Sequence, residues 1–425
     1  MNGKQRTLAL IILSAIAGLV YLTPFLRFSF YDQMMEALQI TDVQMGTIGS
    51  VYGLFYVIVF VPSGILAEKF DTKKLLVITN LGMCATTIWY SFYPGYTALL
   101  IIHALYGIFS VGTFWSPYLK AVRSLASEEK QGTIFGLSEG LRGVAQTIVS
   151  FICLGVMGSV ASVTLGFRAA LWINAAAFAL LALAVISLIP DLDGQAESHT
   201  AGKTDESASP SGTQQAGKPG KTTMIGFLKN PSIWICILVI MCGYTLWSTV
   251  NNYIGTYCTR VLGIDSNLSS TLSIIRSYII VFIAGATGGV IIDKFRTKGQ
   301  AMMTAFFLTG LSVIGILLTG NLVFVCVIIT IVLSYLVNVV KSTYWSILGD
   351  AGIPPAATGM ATGVISLIGL TPDIFVPPVI SRFIAYGESI GNIAFGFRCM
   401  LFWMIAWAIL GIGAGFILKK KKSNA

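Results

Sequence analysis

Gly64-Ile-Leu-Ala-Glu-Lys-Phe-Asp-Thr-Lys-Lys74 is answered, 225 residues further on, by Gly289-Val-Ile-Ile-Asp-Lys-Phe-Arg-Thr-Lys-Gly299. Each copy follows a long apolar run and reads glycine, an acid four residues later, then Lys-Phe and Thr-Lys. A chain of 425 residues that says this once per half is two copies of one membrane module, with the phrase at equivalent helix ends. A second match supports the duplication: Thr113-Phe-Trp-Ser-Pro-Tyr118 against Thr343-Tyr-Trp-Ser-Ile-Leu348, in the same chain order and at an offset of 230.

The composition places those modules in lipid. Hydrophobic residues make up 55% and charged residues 11%, with mean hydropathy +0.80, whereas a soluble protein would be roughly 25% charged. Runs of ~20 apolar residues span a bilayer, and about twelve can be drawn. The first half gives 7–31, 43–66, 74–93, 97–122, 131–158 and 165–189; the second gives 231–257, 268–292, 299–319, 321–348, 357–386 and 394–418. The first run is too long for a signal-peptide core and reads as a retained helix. Between the halves, 190–222 turns abruptly polar and rich in Ser, Gly, Thr and Pro, a flexible cytosolic linker. The domains expected are therefore 1–189, the linker 190–222, and 223–425 with its basic tail.

The formal charge of +9 is a topology signal. With twelve spans, nineteen Lys and Arg fall at one set of helix ends and five (Arg27, Arg168, Arg260, Arg382, Arg398) at the other. That is the positive-inside pattern with both termini cytoplasmic, so the surplus is no argument for nucleic acid. The seven cysteines lie almost wholly in apolar runs and form no CxxC pair, which makes them small core residues. No GxSxG, P-loop, HExxH or dinucleotide fingerprint occurs, so neither an enzyme nor a nucleotide-driven pump is indicated, and no cofactor or metal is expected.

The phrase from Gly64 through Lys73 resembles the signature loop between the second and third helices of the major facilitator superfamily, and 289–298 is similar to its second-half counterpart. The resemblance covers essentially the whole chain and is only loose toward the organic-anion and sugar-phosphate permeases. It implies twelve transmembrane helices in two pseudo-symmetric six-helix bundles, an all-α monomer in a plasma membrane, the bacterial cytoplasmic membrane in the first instance. Three positions depart from it: the usual Asp is Glu68, the usual Arg is Lys69, and the usual Gly is Asp71, which puts the tight turn in question. It also implies that the second helix meets the eleventh, and the eighth the fifth, across the cytoplasmic face. Gly64, Glu68, Gly289 and Asp293 would then gate the inner end, the acids lying near helix N-termini and the glycines against small-residue rows such as Gly132-x3-Gly136-x3-Gly140 and Gly359-x3-Gly363. The plainer reading is that the lysines around them only hold topology.

Charges buried in one half alone point to cargo, because an ion at mid-membrane costs at least ~2.5–3.5 kcal/mol and needs a partner or a task. Arg142 has Glu139 one turn before it and Gln146 one turn after: either a self-neutralising pair or an anion site with a resting counter-ion. Arg276 has no acid at helical spacing. Lys341 is flanked by Asn338 and by Tyr344-Trp345, and Arg27 is either a deep cation or one that snorkels to the outer interface. Glu139, Asp373 and His103 are candidates for proton coupling; Asp373 sits in Thr371-Pro-Asp-Ile-Phe-Val-Pro-Pro378, where it could instead be hinge scaffolding, and His103 stands four residues before Gly107, where the family often carries Arg. Tyr52, Trp115, Tyr244, Trp247, Asn251 and Trp345 are the aromatic and amide candidates for a cavity lining, with packing as the alternative. The leading expectation is a secondary transporter that moves a small organic anion, a carboxylate or phosphorylated sugar, by alternating access, with proton coupling as an option. Its rivals are a proton-coupled carrier or exporter of neutral or amphipathic solutes, and a non-transporting sensor on the same fold.

Overall fold

The computed structural model describes residues 3–126, 131–190, 230–320, 322–353 and 358–423. The linker therefore lies outside the described residues, apart from Pro190. Among them all regular structure is helical. In the first half α1 (Gly3–Leu22) passes through a 3-10 turn into α2 (Arg27–Leu38), followed by α3 (Asp42–Ile58), α4 (Phe60–Lys69), α5 (Thr72–Ser91), α6 (Tyr96–Gly107), α7 (Trp115–Ser124), α8 (Gln131–Ser159) and α9 (Val163–Leu188). In the second come α10 (Pro231–Arg260), α11 (Ser266–Ile274), α12 (Ile280–Asp293), α13 (Lys298–Thr319), α14 (Val323–Thr343), α15 (Thr358–Gly369), α16 (Pro372–Ser389) and α17 (Ile393–Ser423).

Among the described residues ten helices, counting continuous breaks as one, are long and apolar enough to cross a membrane, and eleven if the bent pair formed by α3 and α4 is a single span. The remaining one of the twelve expected, α5, falls short because Lys73, Lys74, Thr79 and Asn80 dilute it. Most of its buried polar side chains bond locally, Thr79, Asn80, Thr86 and Thr87 each donating to the carbonyl four residues back, while the Asn80 side-chain oxygen and the Tyr90 hydroxyl find no partner among the described residues. The apolar windows of α1 and α10 are 78% and 72% buried, against 22% for α8, so the opening helix of each half is an inner one.

Several helices break inside the runs drawn from the sequence. Pro24 ends α1 in the 3-10 turn Thr23–Phe25, and Phe30 (φ −130°, ψ 36°) kinks α2, which continues to Leu38 rather than stopping at 31. The segment expected over 357–386 divides at Thr371, and Pro372 opens α16 at a position where its missing N–H costs nothing; Pro377 and Pro378 lie inside that helix. Both copies of the Thr-aromatic-Trp-Ser match interrupt a helix: Phe114 (φ −108°, ψ −52°) follows a π-helical turn over Ile108–Thr113, and Thr343 (φ −122°, ψ −9°) precedes the 3-10 turn Tyr344–Leu348.

Asp71 resolves the question raised by its departure from glycine. Its φ of −56° suits any residue, and its carboxylate caps α5 by accepting from the Lys74 N–H at 2.8 Å. In the second half Thr297 caps α13 through the Gln300 N–H, and the Asp350 carboxylate accepts from the N–H groups of Lys298 and Gly299. Lys73 closes the other side of the first half by donating to the carbonyls of Ile186 and Ile189 at the end of α9.

Candidate functional site

A cavity of about 540 Å³ lies between α8 of the first half and α12 and α14 of the second, lined by Glu139, Arg142, Gln146, Tyr278, Asn338 and Lys341. Arg142 forms a 2.9 Å ion pair with Glu139, and its guanidinium stands 5.7 Å from the centre of the Tyr21 ring. Lys341 faces it from the other half. Its ammonium lies 3.2 Å from the centre of the Trp247 ring and 5.8 Å from that of Tyr244, a cation held by π faces. Among the described residues no carboxylate lies within ion-pair reach of Lys341. Trp247 is fixed in turn, its indole N–H donating to Asn338 at 3.0 Å.

Behind the cavity sits a buried charge cluster. Asp373, 3% exposed, accepts from the Tyr244 phenol at 2.6 Å and from Ser248 at 3.2 Å. Arg27 does not snorkel outward: it is 2% exposed and donates to the Asn252 side chain at 2.7 Å and to the Pro24 carbonyl at 3.0 Å. The break after α1 explains this, because it frees that carbonyl and turns Arg27 inward between Phe25 and Phe28. The two halves close on one another here through a glycine row on α3. A Cβ at Gly49 would stand 3.2 Å from Pro377 and 3.3 Å from the Arg27 guanidinium carbon, and one at Gly53 2.7 Å from the Asp373 backbone. Among the described residues this small-residue row makes a close seam between the halves.

The other expected site residues are scattered. Arg276 is buried but bonds Ser273 and Thr330 within its own half and lies off the cavity lining. His103 bonds the Leu99 carbonyl and packs edge-on against Tyr90 and Tyr106, also away from the lining. Tyr52 bonds Ser110, Trp115 packs on Tyr21, Trp345 packs on Tyr344, and Asn251 donates to its own helix at Trp247. At the phrase end, nothing lies within 4 Å of a Cβ built on Gly64, Gly136 or Gly289; Glu68 is exposed, and among the described residues Asp293 pairs with Lys298 alone, five residues away. The surroundings of Gly132, Gly359 and Gly363 fall outside what is described. The cavity reaches exposed Gly136, Gly285 and Ala286 on this side, so it opens at the end that carries the repeated phrase.

The opposite end is sealed. Arg260 at the end of α10 donates to Asp32 at 2.8 Å, to Asp42 at 2.9 Å and to Glu388 at 3.2 Å, and the first two are carboxylates of the other half. Thr259 also donates to Asp32, Tyr31 to Asp42, and Gln33 to Ser266 and Ser270. Sequence reasoning had filed Arg260 as a topology charge. Its signal was the pair of acids at the ends of neighbouring segments, Asp32 and Asp42, but only folding shows that all three meet.

The profile of the Major Facilitator Superfamily matches residues 8–377. The chain is 25% identical over 426 residues to the inner membrane protein YqcE of Escherichia coli (strain K12), covering 97% of this chain and 93% of that protein. It is 24% identical over 379 residues to the inner membrane protein YihN of the same organism, covering 88% and 87%. Among solved structures, a bacterial homolog of the human lysosomal transporter Spinster in an inward-facing, unoccupied conformation superposes with a TM-score of 0.77 at 12% identity, covering 100% of this chain and 99% of that one. The D-xylose–proton symporter gives 0.72 at 14% identity, with 96% of each chain covered.

Proposed function

Since the chain belongs to the major facilitator superfamily and is accordingly a multi-pass membrane transporter rather than an enzyme, we propose that it carries a small organic anion by alternating access, driven by gradients and coupled to protons. The observation that supports this is the placement of Arg142 and Lys341 on opposite halves around one cavity, with no carboxylate partner for Lys341 among the described residues. An anion entering between them would be neutralised by both halves at once, which favours their closure around it. Charge placement argues that the open end faces the cytoplasm, so the arrangement corresponds to an inward-open carrier whose outer end is tied shut by Arg260. Gly64, Glu68, Gly289 and Asp293 would engage only after the carrier turns over, and the chain would do so as a monomer in a bacterial cytoplasmic membrane.

Of the groups expected to handle protons, Glu139 lines the cavity and Asp373 lies behind it, with Tyr244 between Asp373 and the Lys341 ammonium. Asp373 is the proton carrier in this reading, and His103 and Arg276 serve packing. The competing reading, a carrier of neutral solutes, draws on the Arg142–Glu139 pair, which can neutralise itself. Uptake into proteoliposomes decides between them: Lys341→Ala and Arg142→Ala should abolish uptake of an organic acid while Arg276→Ala leaves it measurable. Acid uptake that survives both of the first two substitutions refutes the proposal.

A further inference from the structure

The seam between the halves carries hydroxyl groups that the anion reading leaves unused. The hydroxyls of Ser29 and Ser150 come near enough to the Tyr278 phenol to interact with it, yet none of the three makes a hydrogen bond of acceptable geometry. They are 5%, 0% and 6% exposed. Thr256, 1% exposed, leaves its hydroxyl unpartnered in the same way. Burying hydroxyls without well-formed hydrogen bonds is unfavourable, so several of them gathered at one seam mark a place where complementary groups of a solute would be accommodated.

Their positions follow the path. Tyr278 lines the cavity beside Arg142 and Lys341. Ser29 and Thr256 line a crevice with Arg27 and Asn252, pinched to about 10 Å³, which runs on toward Thr259 and Asp32 at the sealed end. The contact between Ser29 and Tyr278 joins the two spaces, so Tyr278, Ser29 and Thr256 form a ladder from the open cavity into the closed half of the path, with Ser150 beside Tyr278 but on neither lining. A hydroxyl-rich solute could trade hydrogen bonds along it, whereas an apolar acid would strand every rung.

The central charges set the other half of the specification. With Asp373 ionised, Arg27, Arg142 and Lys341 stand against Glu139 and Asp373, which leaves one positive charge. A single carboxylate balances it, while a phosphate ester, at about −1.5 to −2 near neutral pH, overshoots. Tyr244 and Trp247 add π faces beside Lys341, suited to the C–H face of a sugar ring.

Resting on the organic-anion reading above, we infer that the substrate is a sugar acid: a polyhydroxylated compound with one carboxylate, read at its hydroxyls by Tyr278, Ser150, Ser29 and Thr256. The full chain in proteoliposomes is offered four labelled probes: D-glucuronate, cyclohexanecarboxylate, glucose 6-phosphate and D-glucose. Glucuronate should be taken up at least about tenfold more efficiently than the other three, and Tyr278→Phe should lower its apparent affinity about five- to tenfold, the worth of one or two hydrogen bonds. Ser150→Ala, a smaller change, repeats the test should Tyr278→Phe fail to fold. Equal uptake of glucuronate and cyclohexanecarboxylate, both lost in Lys341→Ala, overturns the sugar-acid inference and leaves the anion reading standing. D-Glucose taken up as well as glucuronate, with Lys341→Ala indifferent, overturns both. Preference for glucose 6-phosphate, or no glucuronate uptake, overturns the inference.

Discussion

Arg260→Gln should tip the protein out of the conformation described here. Two of the three ion pairs of Arg260 cross between the halves, to Asp32 at 2.8 Å and to Asp42 at 2.9 Å, and the arginine side chain is 17% exposed. A charge-assisted bond contributes about 1.5 kcal/mol or somewhat more. The bridge to Glu388, whose side chain is 48% exposed, stays within one half and adds little. Two crossing bonds thus hold the sealed end by ~3 kcal/mol, and their loss moves the inward-open to outward-open ratio by roughly two orders of magnitude. Asp42, whose side chain is 1% exposed, would retain only the Tyr31 phenol, which deepens the loss. Spin labels at Gln39→Cys and Asn267→Cys, exposed positions on opposite halves of this end, report the change as a longer inter-label distance by double electron–electron resonance. Asp32→Asn should produce a smaller shift, and the double variant less than the sum of the two. An unchanged distance distribution in Arg260→Gln would show that the seam is held by packing, and the latch argument would fail.

Gly53→Ala should lower the melting temperature and cripple uptake, since its Cβ would meet the Asp373 backbone at 2.7 Å, an overpacking cost of about 1–3 kcal/mol. Gly64→Ala separates gating from stability: nothing lies within 4 Å of its Cβ here, so melting should hold or rise while transport slows, and full transport would remove Gly64 from the gate. Asp373→Asn keeps the Tyr244 and Ser248 contacts in reach but cannot take up a proton; substrate counterflow should persist while uptake driven by an imposed pH gradient disappears, and gradient-driven uptake in the variant excludes Asp373 as the carrier. Asp71→Ala removes the cap on α5 and should cost about 1 kcal/mol, read as a lower melting temperature with substrate affinity intact.

What the sequence determined by itself is what depends on local composition and on repetition. Apolar run length fixes membrane helices, and the duplicated Gly64 and Gly289 phrases together with the Thr-aromatic-Trp-Ser match point to a two-module plan. These need no knowledge of which helix lies beside which; that both copies of that match interrupt a helix appears only in the fold. It also named Arg142, Glu139, Lys341 and Asp373, because an ion deep in an apolar run is costly wherever that run ends up. What only the tertiary structure decided is how each ion is compensated. Arg276 and Arg27 look alike as isolated buried cations, yet one is absorbed by Ser273 and Thr330 of its own half and the other reaches Asn252, 225 residues away. Arg260 lies at a helix end and reads as a topology charge until folding brings Asp32, Asp42 and Glu388 to it. Electrostatic partnership and hydrogen-bond satisfaction depend on ångström-scale distances between groups remote in the chain, and no periodicity along a single helix encodes them.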